Sequence, residues 1–131
     1  MIAVGQAPKK SKVVILGLTF KENCPDTRNS KVNDIIKRLA EYGITPIVVD
    51  PWANETDAMR EYGVMLTKME DVKDADCVIV AVAHNDFRAL SLAEIKKLYK
   101  NCDDAEKVLI DVKGLYKVVD LTESGMKWWR L

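Results

Sequence analysis

Short apolar runs rich in β-branched residues alternate along the chain with segments of helical periodicity. Buried strands are predicted at Val13 to Leu16, Ile47 to Val49, Cys77 to Ala81 and Lys107 to Asp111. The sequence CVIVA from Cys77 is continuously apolar, which is typical of a strand that packs helices on both faces. We therefore expect this run to be a central strand of a sheet.

The segments between these runs predict helices. A helix from Lys31 to about Tyr42 ends at Gly43, and its apolar stripe consists of Val32, Ile35, Ile36 and Leu39. Other helices are predicted from Ala53 to about Tyr62, which Gly63 ends, and from the N-cap residue Ser91 to about Lys100. Weaker patterns predict an edge strand at Val64 to Leu66, a helical turn at Met69 to Asp74, and a packed final strand or subunit contact in MKWWRL, with Trp128 and Trp129.

The alternation of strands and helices predicts an α/β fold. Crossovers between parallel strands place helices on both faces of the sheet, so we expect a Rossmann-like three-layer α/β/α sandwich with a mostly parallel sheet. Such sheets bind ligands beyond the carboxyl ends of their strands. We expect one domain over residues 12–131, preceded by a flexible N-terminal segment of residues 1–11.

Composition and charge narrow the class of protein. The 131 residues are 48% hydrophobic, which suffices for one compact domain. Twenty basic residues balance twenty acidic ones, so we expect neither a nucleic-acid partner nor a membrane partner. The chain contains no apolar stretch of membrane-spanning length and no signal-peptide core. Three cysteines without paired spacing favour a reducing, cytoplasmic location and predict no metal site.

The loop after the first predicted strand carries the strongest chemical signal. In VVILGLTFKENCPDTRNS the apolar run stops at Gly17, and Lys21 and Arg28 follow before Ser30, a candidate helix cap. Cations close to a helix N-terminus favour an anion, so this loop predicts a nucleotide or another phosphorylated ligand. The alternative is that Lys21 and Arg28 are ordinary solvated loop charges, with Asp26 holding Arg28 in place.

Four further residues have both a functional and a structural interpretation. Asp50 ends the second strand where dinucleotide-binding folds hold a ribose, but GLTFKEN is not G-x-G-x-x-G, so a turn or cap is favoured. His84, the single histidine, is interpreted as structural, and Cys24 as unreactive because no base is evident beside it. Lys113 either faces solvent or reaches the same cleft as Lys21.

Several motifs together resemble a known family. GLTFKENCPDTRNS, VVDP, VAVAHNDF, IDVKG and the closing WWRL resemble the C-terminal UDP-binding domain of the UDP-glucose/GDP-mannose dehydrogenase family, closest to the branch that oxidises UDP-N-acetylhexosamines. The resemblance extends from about Lys12 to the end of the chain. It implies part of an NAD-dependent UDP-sugar 6-dehydrogenase, which oxidises the sugar to a uronic acid for polysaccharide synthesis.

The resemblance also implies partners and site residues. Phe20 and Lys21 match residues that contact the UDP-sugar, Lys113 matches a second substrate contact, and Arg28 matches an arginine that reaches the NAD cofactor. The N-terminal domain that binds most of the NAD and the central domain with the catalytic cysteine and dimer contacts are absent here. We therefore expect no catalytic residue in this chain, no activity in isolation, and a homo-oligomer for the full enzyme. The alternative is a free-standing, non-catalytic nucleotide-binding or interaction module.

Overall fold

Five short strands form one parallel sheet in the computed structural model, which describes residues 12–19, 23 and 31–130. The strands are β1 (Val13–Leu16), β2 (Ile47–Val49), β3 (Cys77–Val80), β4 (Val108–Asp111) and β5 (Lys127–Arg130). Their order across the sheet is β2-β1-β3-β4-β5, and each neighbouring pair is parallel. The predicted α/β class is confirmed, and the run from Cys77 is the central strand.

Helices cover both faces of this sheet. They are α1 (Val32–Glu41), α2 (Glu55–Tyr62), α3 (Asn85–Arg88), α4 (Leu92–Lys96) and α5 (Val118–Glu123), with 3-10 turns at Met69–Asp71 and Asp104–Glu106. Successive strand residues point to opposite faces. In β1, Val13 and Ile15 join a core with residues of α1 and α2, whereas Val14 and Leu16 join a core with residues of α3, α4 and α5. The three predicted layers are therefore present.

Most predicted element boundaries agree with the structure to within two residues, but the helix after Ser91 is shorter than predicted. Ser91 caps α4 through a capping box with Glu94, as the sequence indicated. The helix ends at Lys96 because Tyr99 forms a parallel bridge with Ala75 and its hydroxyl donates to the Val108 carbonyl. Tertiary contacts thus override the helical pattern up to Lys100.

Other differences concern short elements. The weak edge strand predicted at Val64 to Leu66 is a single parallel bridge between Leu66 and Val48. Helices α3 and α5 were not predicted, because they span only 4 and 6 residues. The terminal tryptophans form the predicted final strand, with Trp128 packed on the core and Trp129 exposed. Residues 1–11 and Ser30 lie outside the described residues.

None of the helices in the described part of the chain is both long enough and apolar enough to cross a membrane.

Candidate site at the carboxyl edge of the sheet

The candidate site lies where the direction of strand order reverses. β1 connects through α1 to β2 on one side, while β3 flanks β1 on the other side. In sheets of this kind, ligands bind outside the carboxyl ends of the two strands that flank this switch point. Here those ends are Leu16 of β1 and Val80 of β3. The Leu16 carbonyl accepts from the N–H of Ala81, the residue after β3, at 2.9 Å.

The loops that leave β1 and β3 are in direct contact. Gly17 has a φ of +109°, and its N–H donates to the Val49 carbonyl at 2.8 Å. A Cβ atom at position 17 would lie 2.5 Å from Val82 Cβ, so only glycine lets the two loops approach this closely. The chain then continues into Leu18 and Thr19, which are fully buried. The buried part of the chain therefore extends through Thr19, whereas the sequence pattern predicted that it stops at Gly17.

Asp50 organises these loops from the end of β2. Its Oδ2 atom accepts from Leu18 N–H at 2.6 Å and from Thr19 N–H at 3.0 Å, and its Oδ1 atom accepts from Trp52 N–H at 2.8 Å and from Ala53 N–H at 3.1 Å. The predicted role of Asp50 as a turn residue or cap is confirmed. Since both carboxylate oxygens are occupied, Asp50 is not available to hold a ribose.

These hydrogen bonds keep Asp50 ionised despite its burial. Burial alone would raise the pKa of the Asp50 carboxyl, but hydrogen bonds from His84, Leu18 and Thr19 outweigh that effect and hold the pKa below its ordinary value. The carboxylate is thus a stable buried acceptor.

His84 is paired with this carboxylate. Its Nε2 atom lies 3.0 Å from Asp50 Oδ2 and 3.1 Å from Thr19 Oγ1, and both the Asp50 and His84 side chains are fully buried. Its Nδ1 atom accepts from the backbone N–H of Asn23 at 2.8 Å. Because a backbone N–H can only donate, the proton of the neutral ring must be on Nε2, from which it points towards Asp50.

Asn23 is the next described residue after Thr19 along the chain. Its φ is +54°, in the left-handed region that few residues other than glycine adopt. Its side-chain carbonyl accepts from Asn85 N–H at 2.9 Å, so Asn23 is bound to two consecutive residues at the start of α3. The loop after β1 is in this way attached to the loop after β3.

Two aromatic rings enclose the Asp50–His84 pair. The Trp52 ring is stacked with the imidazole at a centroid distance of 6.0 Å, and the Phe87 ring is tilted against it at 5.5 Å. The Trp52 indole N–H donates to Asp86 at 2.8 Å, which fixes the ring over the histidine. Water is excluded from the pair, so its hydrogen bonds are protected from competition.

A hollow of about 450 Å³ lies beside this cluster, between the ends of β2 and α3. Its apolar wall includes Leu66, Phe87 and Leu90, and its charged lining residues are Asp50, Glu55, Lys68, Glu70 and Asp86. Four carboxylates against one lysine disfavour a phosphate group in the hollow itself. An anion bound at this edge of the sheet would need positive charge from the neighbouring loops and not from the hollow.

The loop after β4 shows the same construction as the loop after β2. Asp111 ends β4, is fully buried, and accepts from Leu115 N–H at 3.0 Å and from Tyr116 N–H at 2.9 Å. The predicted substrate residue Lys113 lies inside this turn and is exposed. Its exposure and its position at the carboxyl edge fit both the solvent-facing and the cleft interpretation, so its role stays a prediction.

The other predicted residues of the loop after β1 are not among those that the structure describes. Phe20, Lys21, Cys24, Asp26 and Arg28 lie outside the described residues, so their predicted roles stay predictions.

The two described cysteines form no disulfide. Cys77 is buried in β3, and this burial raises the pKa of its thiol to about 12. Cys102 is partly exposed. Within the described ranges, no group of three or more His, Cys, Asp or Glu side chains could hold a metal ion.

The sequence pattern pointed to Asp50 and His84 separately and did not connect them. Both residues follow strands of a parallel sheet, and the carboxyl ends of such strands lie at one edge. Their proximity could therefore have been predicted from the sequence. The contacts of Thr19 and Asn23 had no comparable signal, because they depend on the path of the loop after β1.

Comparison with known proteins identifies the family. The model of the family described as "UDP-glucose/GDP-mannose dehydrogenase family, UDP binding domain" matches residues 14–118. These residues include β1 from its second residue and all of β2, β3 and β4. The chain belongs to this family. The resemblance noted from GLTFKENCPDTRNS and the later motifs is thereby confirmed, and the carboxyl edge described above belongs to a UDP binding domain of the family.

Individual relatives agree with this assignment. UDP-N-acetyl-D-glucosamine 6-dehydrogenase of Pseudomonas aeruginosa is 48% identical over 105 residues, which are 80% of this chain and 24% of that protein. Protein CapL of Staphylococcus aureus is 37% identical over 131 residues, which are 100% of this chain and 30% of CapL. The chain therefore spans about a quarter of the length of these curated relatives.

The fold is also found in the solved structure of a dehydrogenase. The crystal structure of NDP-N-acetyl-D-galactosaminuronic acid dehydrogenase from Methanosarcina mazei Go1 superposes with a TM-score of 0.82 at 23% identity, covering 98% of this chain and 26% of that one. At this identity the likeness shows the shared fold of the domain.

Proposed function

We propose that this chain is the UDP-sugar-binding part of an NAD-dependent nucleotide-sugar 6-dehydrogenase. The observation that carries the proposal is the family match over residues 14–118, together with a loop after β1 whose flanks are held at the switch point of the sheet. The relatives named as UDP-N-acetylhexosamine dehydrogenases favour a UDP-N-acetylhexosamine as the substrate.

The diphosphate of the ligand is proposed to lie beyond the carboxyl ends of β1 and β3. Lys21 and Lys113 supply positive charge there, and Phe20 contacts the nucleotide-sugar. Lys113 is the described member of this set, and it projects from a turn that Asp111 fixes at the same edge of the sheet. A lysine is suited to this task because its compact charge attracts phosphate without demanding one geometry.

The redox chemistry is assigned to the rest of the enzyme. NAD is proposed to bind mainly to an N-terminal domain, with Arg28 reaching it across the cleft, and a cysteine of a central domain is proposed to act in the oxidation. Hydride transfer requires that both reactants be enclosed together away from water, and a single domain forms one wall of such a site. The isolated chain is therefore proposed to be inactive.

The family resemblance also supports proposals on the location, oligomeric state and biological role of the full enzyme. We place it in the cytoplasm, as a homo-oligomer, in the synthesis of a polysaccharide. The two free cysteines among the described residues, Cys77 and Cys102, support a reducing compartment. Residues 12–131 are proposed as the domain and residues 1–11 as a preceding segment.

A non-catalytic module that binds a nucleotide or a protein partner is the alternative function. The zero formal net charge makes a polyanionic partner such as nucleic acid unfavourable, so a small nucleotide is the better ligand for this module as well. The two functions differ in whether the chain acts together with a dinucleotide-binding domain and a catalytic cysteine.

Titration of the 131-residue chain with UDP tests the proposed site. We expect saturable binding, and we expect Lys21→Ala to weaken it about tenfold, as for the loss of one charge-assisted hydrogen bond. Lys97→Ala is the matched control, since this exposed lysine follows α4 at the opposite edge of the sheet, two residues before the Ala75 to Tyr99 bridge.

Isothermal calorimetry or a fluorescence titration gives the dissociation constants. Equal weakening by both substitutions would mean that only overall charge matters. Unchanged binding in Lys21→Ala would remove this lysine from the site.

A further inference from the structure

Arg130 lies at the carboxyl end of β5, at the same edge of the sheet as the proposed nucleotide site. It is the ladder partner of Asp111, the last residue of β4. Arg130 is exposed, and its Nε–H group donates to the Tyr116 carbonyl at 3.1 Å. The guanidinium group is therefore attached to the turn after β4, which also carries Lys113.

This turn is itself fixed. The two carboxylate oxygens of Asp111 accept from Leu115 N–H and Tyr116 N–H, and the Tyr116 hydroxyl donates to the Leu90 carbonyl at 3.1 Å. Tyr116 is thus held at its backbone and at the end of its side chain. Its carbonyl restricts the arginine side chain that binds to it, and a restricted side chain loses less conformational freedom when a ligand binds.

Gly114 provides the space in which the guanidinium group lies. A Cβ atom at position 114 would be 3.0 Å from Arg130 Nη2 and 3.3 Å from Arg130 Cζ. At Gly63, which has the same φ of +66°, an added Cβ would have no heavy atom within 4 Å. The glycine directly after Lys113 therefore lets the guanidinium group approach the backbone of the turn beside that lysine.

The positive charges of Lys113 and Arg130 have no carboxylate partner within the described residues. Neither side chain forms an ion pair in that part of the chain, and the neighbouring Asp111 carboxylate is buried and accepts N–H groups of the turn. Other described cations do form ion pairs, namely Arg38, Arg60, Lys96, Lys100 and Lys107. Two neighbouring positive charges repel each other, and an anion bound by both removes this repulsion.

We propose that Arg130 and Lys113 together bind a phosphate group of the nucleotide at the carboxyl ends of β4 and β5. This inference rests on the proposed function and adds Arg130 to the nucleotide site. Because the Tyr116 carbonyl occupies Nε–H, the terminal Nη1 and Nη2 groups are the donors for the phosphate oxygens. Lys113 adds a compact charge that does not demand one geometry.

The spacing of the sheet allows this contact. Neighbouring strands are about 4.8 Å apart, so β5 lies roughly 10 Å from β3 across β4. The guanidinium group lies against the turn after β4, which shortens this gap. A diphosphate beyond the end of β3 is then within reach of the arginine.

The alternative is that Arg130 only ties the end of β5 to the turn after β4. That role depends on the hydrogen bond to Tyr116 and affects the stability of the fold, whether or not a ligand carries phosphate. The two roles therefore predict different results for ligands with phosphate and for ligands without it.

The experiment titrates the full 131-residue chain with UDP and compares two variants that change the net charge equally. Arg130→Gln is expected to weaken UDP binding about tenfold, as for the loss of a charge-assisted hydrogen bond. Lys127→Gln is the matched control, because Lys127 is an exposed residue of the same strand at the opposite edge of the sheet. It is expected to change the affinity by less than about twofold.

A second pair of variants moves the guanidinium group and leaves every charge in place. Gly114→Ala is expected to weaken UDP binding about threefold or more, since the added Cβ meets Arg130. Gly63→Ala has the same positive φ with open space around it, and we expect it to leave the UDP affinity unchanged. Thermal unfolding of all variants confirms that folded proteins are compared.

The Nε–H resonance of Arg130, observed by NMR, separates phosphate binding from the structural role. We expect UDP and inorganic pyrophosphate to shift this resonance in a saturable manner, and uridine, which has no phosphate, to leave it in place.

Three results would overturn the phosphate contact while the proposed function remained in force. They are equal UDP affinity in Arg130→Gln and Lys127→Gln, equal UDP affinity in Gly114→Ala and Gly63→Ala, and an Arg130 resonance that uridine shifts as far as UDP does. If the wild-type chain bound no UDP, the proposed function would fail, and the role of Arg130 would fail with it.

Discussion

At the scale of single residues, Asp50 shows how a buried charge is retained because its hydrogen bonds are complete. Four backbone N–H groups and the His84 ring donate to its two oxygens. Each donor comes from a segment that leaves the carboxyl edge of the sheet. The carboxylate therefore joins the loops after β1, β2 and β3 at one point.

Asp50→Asn tests this role. The amide Nδ2 group of asparagine can only donate, so it would face N–H donors where the carboxylate accepted hydrogen bonds. We expect the free energy of unfolding at pH 7 to fall by about 3 kcal/mol. The exposed substitution Asp120→Asn on α5 is the control and should change stability by less than about 0.5 kcal/mol. Urea unfolding measures both values.

The pH dependence of the stability difference between wild type and Asp50→Asn follows from the direction in which folding shifts the pKa of Asp50. The pKa of Asp50 is lower in the folded chain than its ordinary value of 3.8, so its stabilisation is present above that value and is lost as the pH falls through the folded pKa. The gap between wild type and Asp50→Asn should therefore be largest near neutral pH and shrink below about pH 4. A gap that stayed constant from about pH 7 to about pH 3 would show that ionisation of Asp50 is not what stabilises the fold.

At the scale of elements, the close approach of the β1 and β3 exits depends on Gly17. Its positive φ excludes most side chains, and an added Cβ would lie only 2.5 Å from Val82 Cβ, so any side chain requires movement of one loop. Gly63, which ends α2 with a φ of +66°, has no heavy atom within 4 Å of an added Cβ. The two glycines thus share a positive φ and differ in the space around them.

Alanine substitutions at these two glycines form a matched pair. Gly63→Ala should cost about 1 kcal/mol, for the left-handed backbone alone. Gly17→Ala should cost about 3 kcal/mol or more, because steric overlap with Val82 is added to the backbone strain. Thermal or chemical unfolding of the two variants gives the comparison. Equal costs would mean that the loops after β1 and β3 separate easily, contrary to the close contact between them.

The elements also show what the sequence can and cannot predict. The strand at Cys77 and the helix at Lys31 were predictable because their patterns extend over enough residues to bury one face or two. The end of α4 at Lys96 was not, since it depends on the bridge of Tyr99 to Ala75. The pairing of Asp50 with His84 lies between these cases: parallel topology brings both to one edge, while their contact depends on the loop path.

At the scale of the whole molecule, the proposed site lies at one edge of the sheet. The strand order β2-β1-β3-β4-β5 brings the loops of β1, β3 and β4 together at the carboxyl edge. The opposite edge is closed by structural contacts, in which buried Asp76 accepts from Lys12 N–H and pairs with Lys100 at 2.6 Å. With a formal net charge of zero, the proposed attraction of a diphosphate depends on the local placement of cations.

The most direct test of the proposed site is an NMR titration of the 131-residue chain with UDP, with backbone amide shifts mapped onto the fold. We predict saturable shifts at the carboxyl edge, at Thr19, Asn23, His84 and Lys113, with Lys12, Asp76 and Lys100 unmoved. Shifts confined to the opposite edge, or no saturable shift at all, would contradict the claim that this chain binds the nucleotide at the switch point of its sheet.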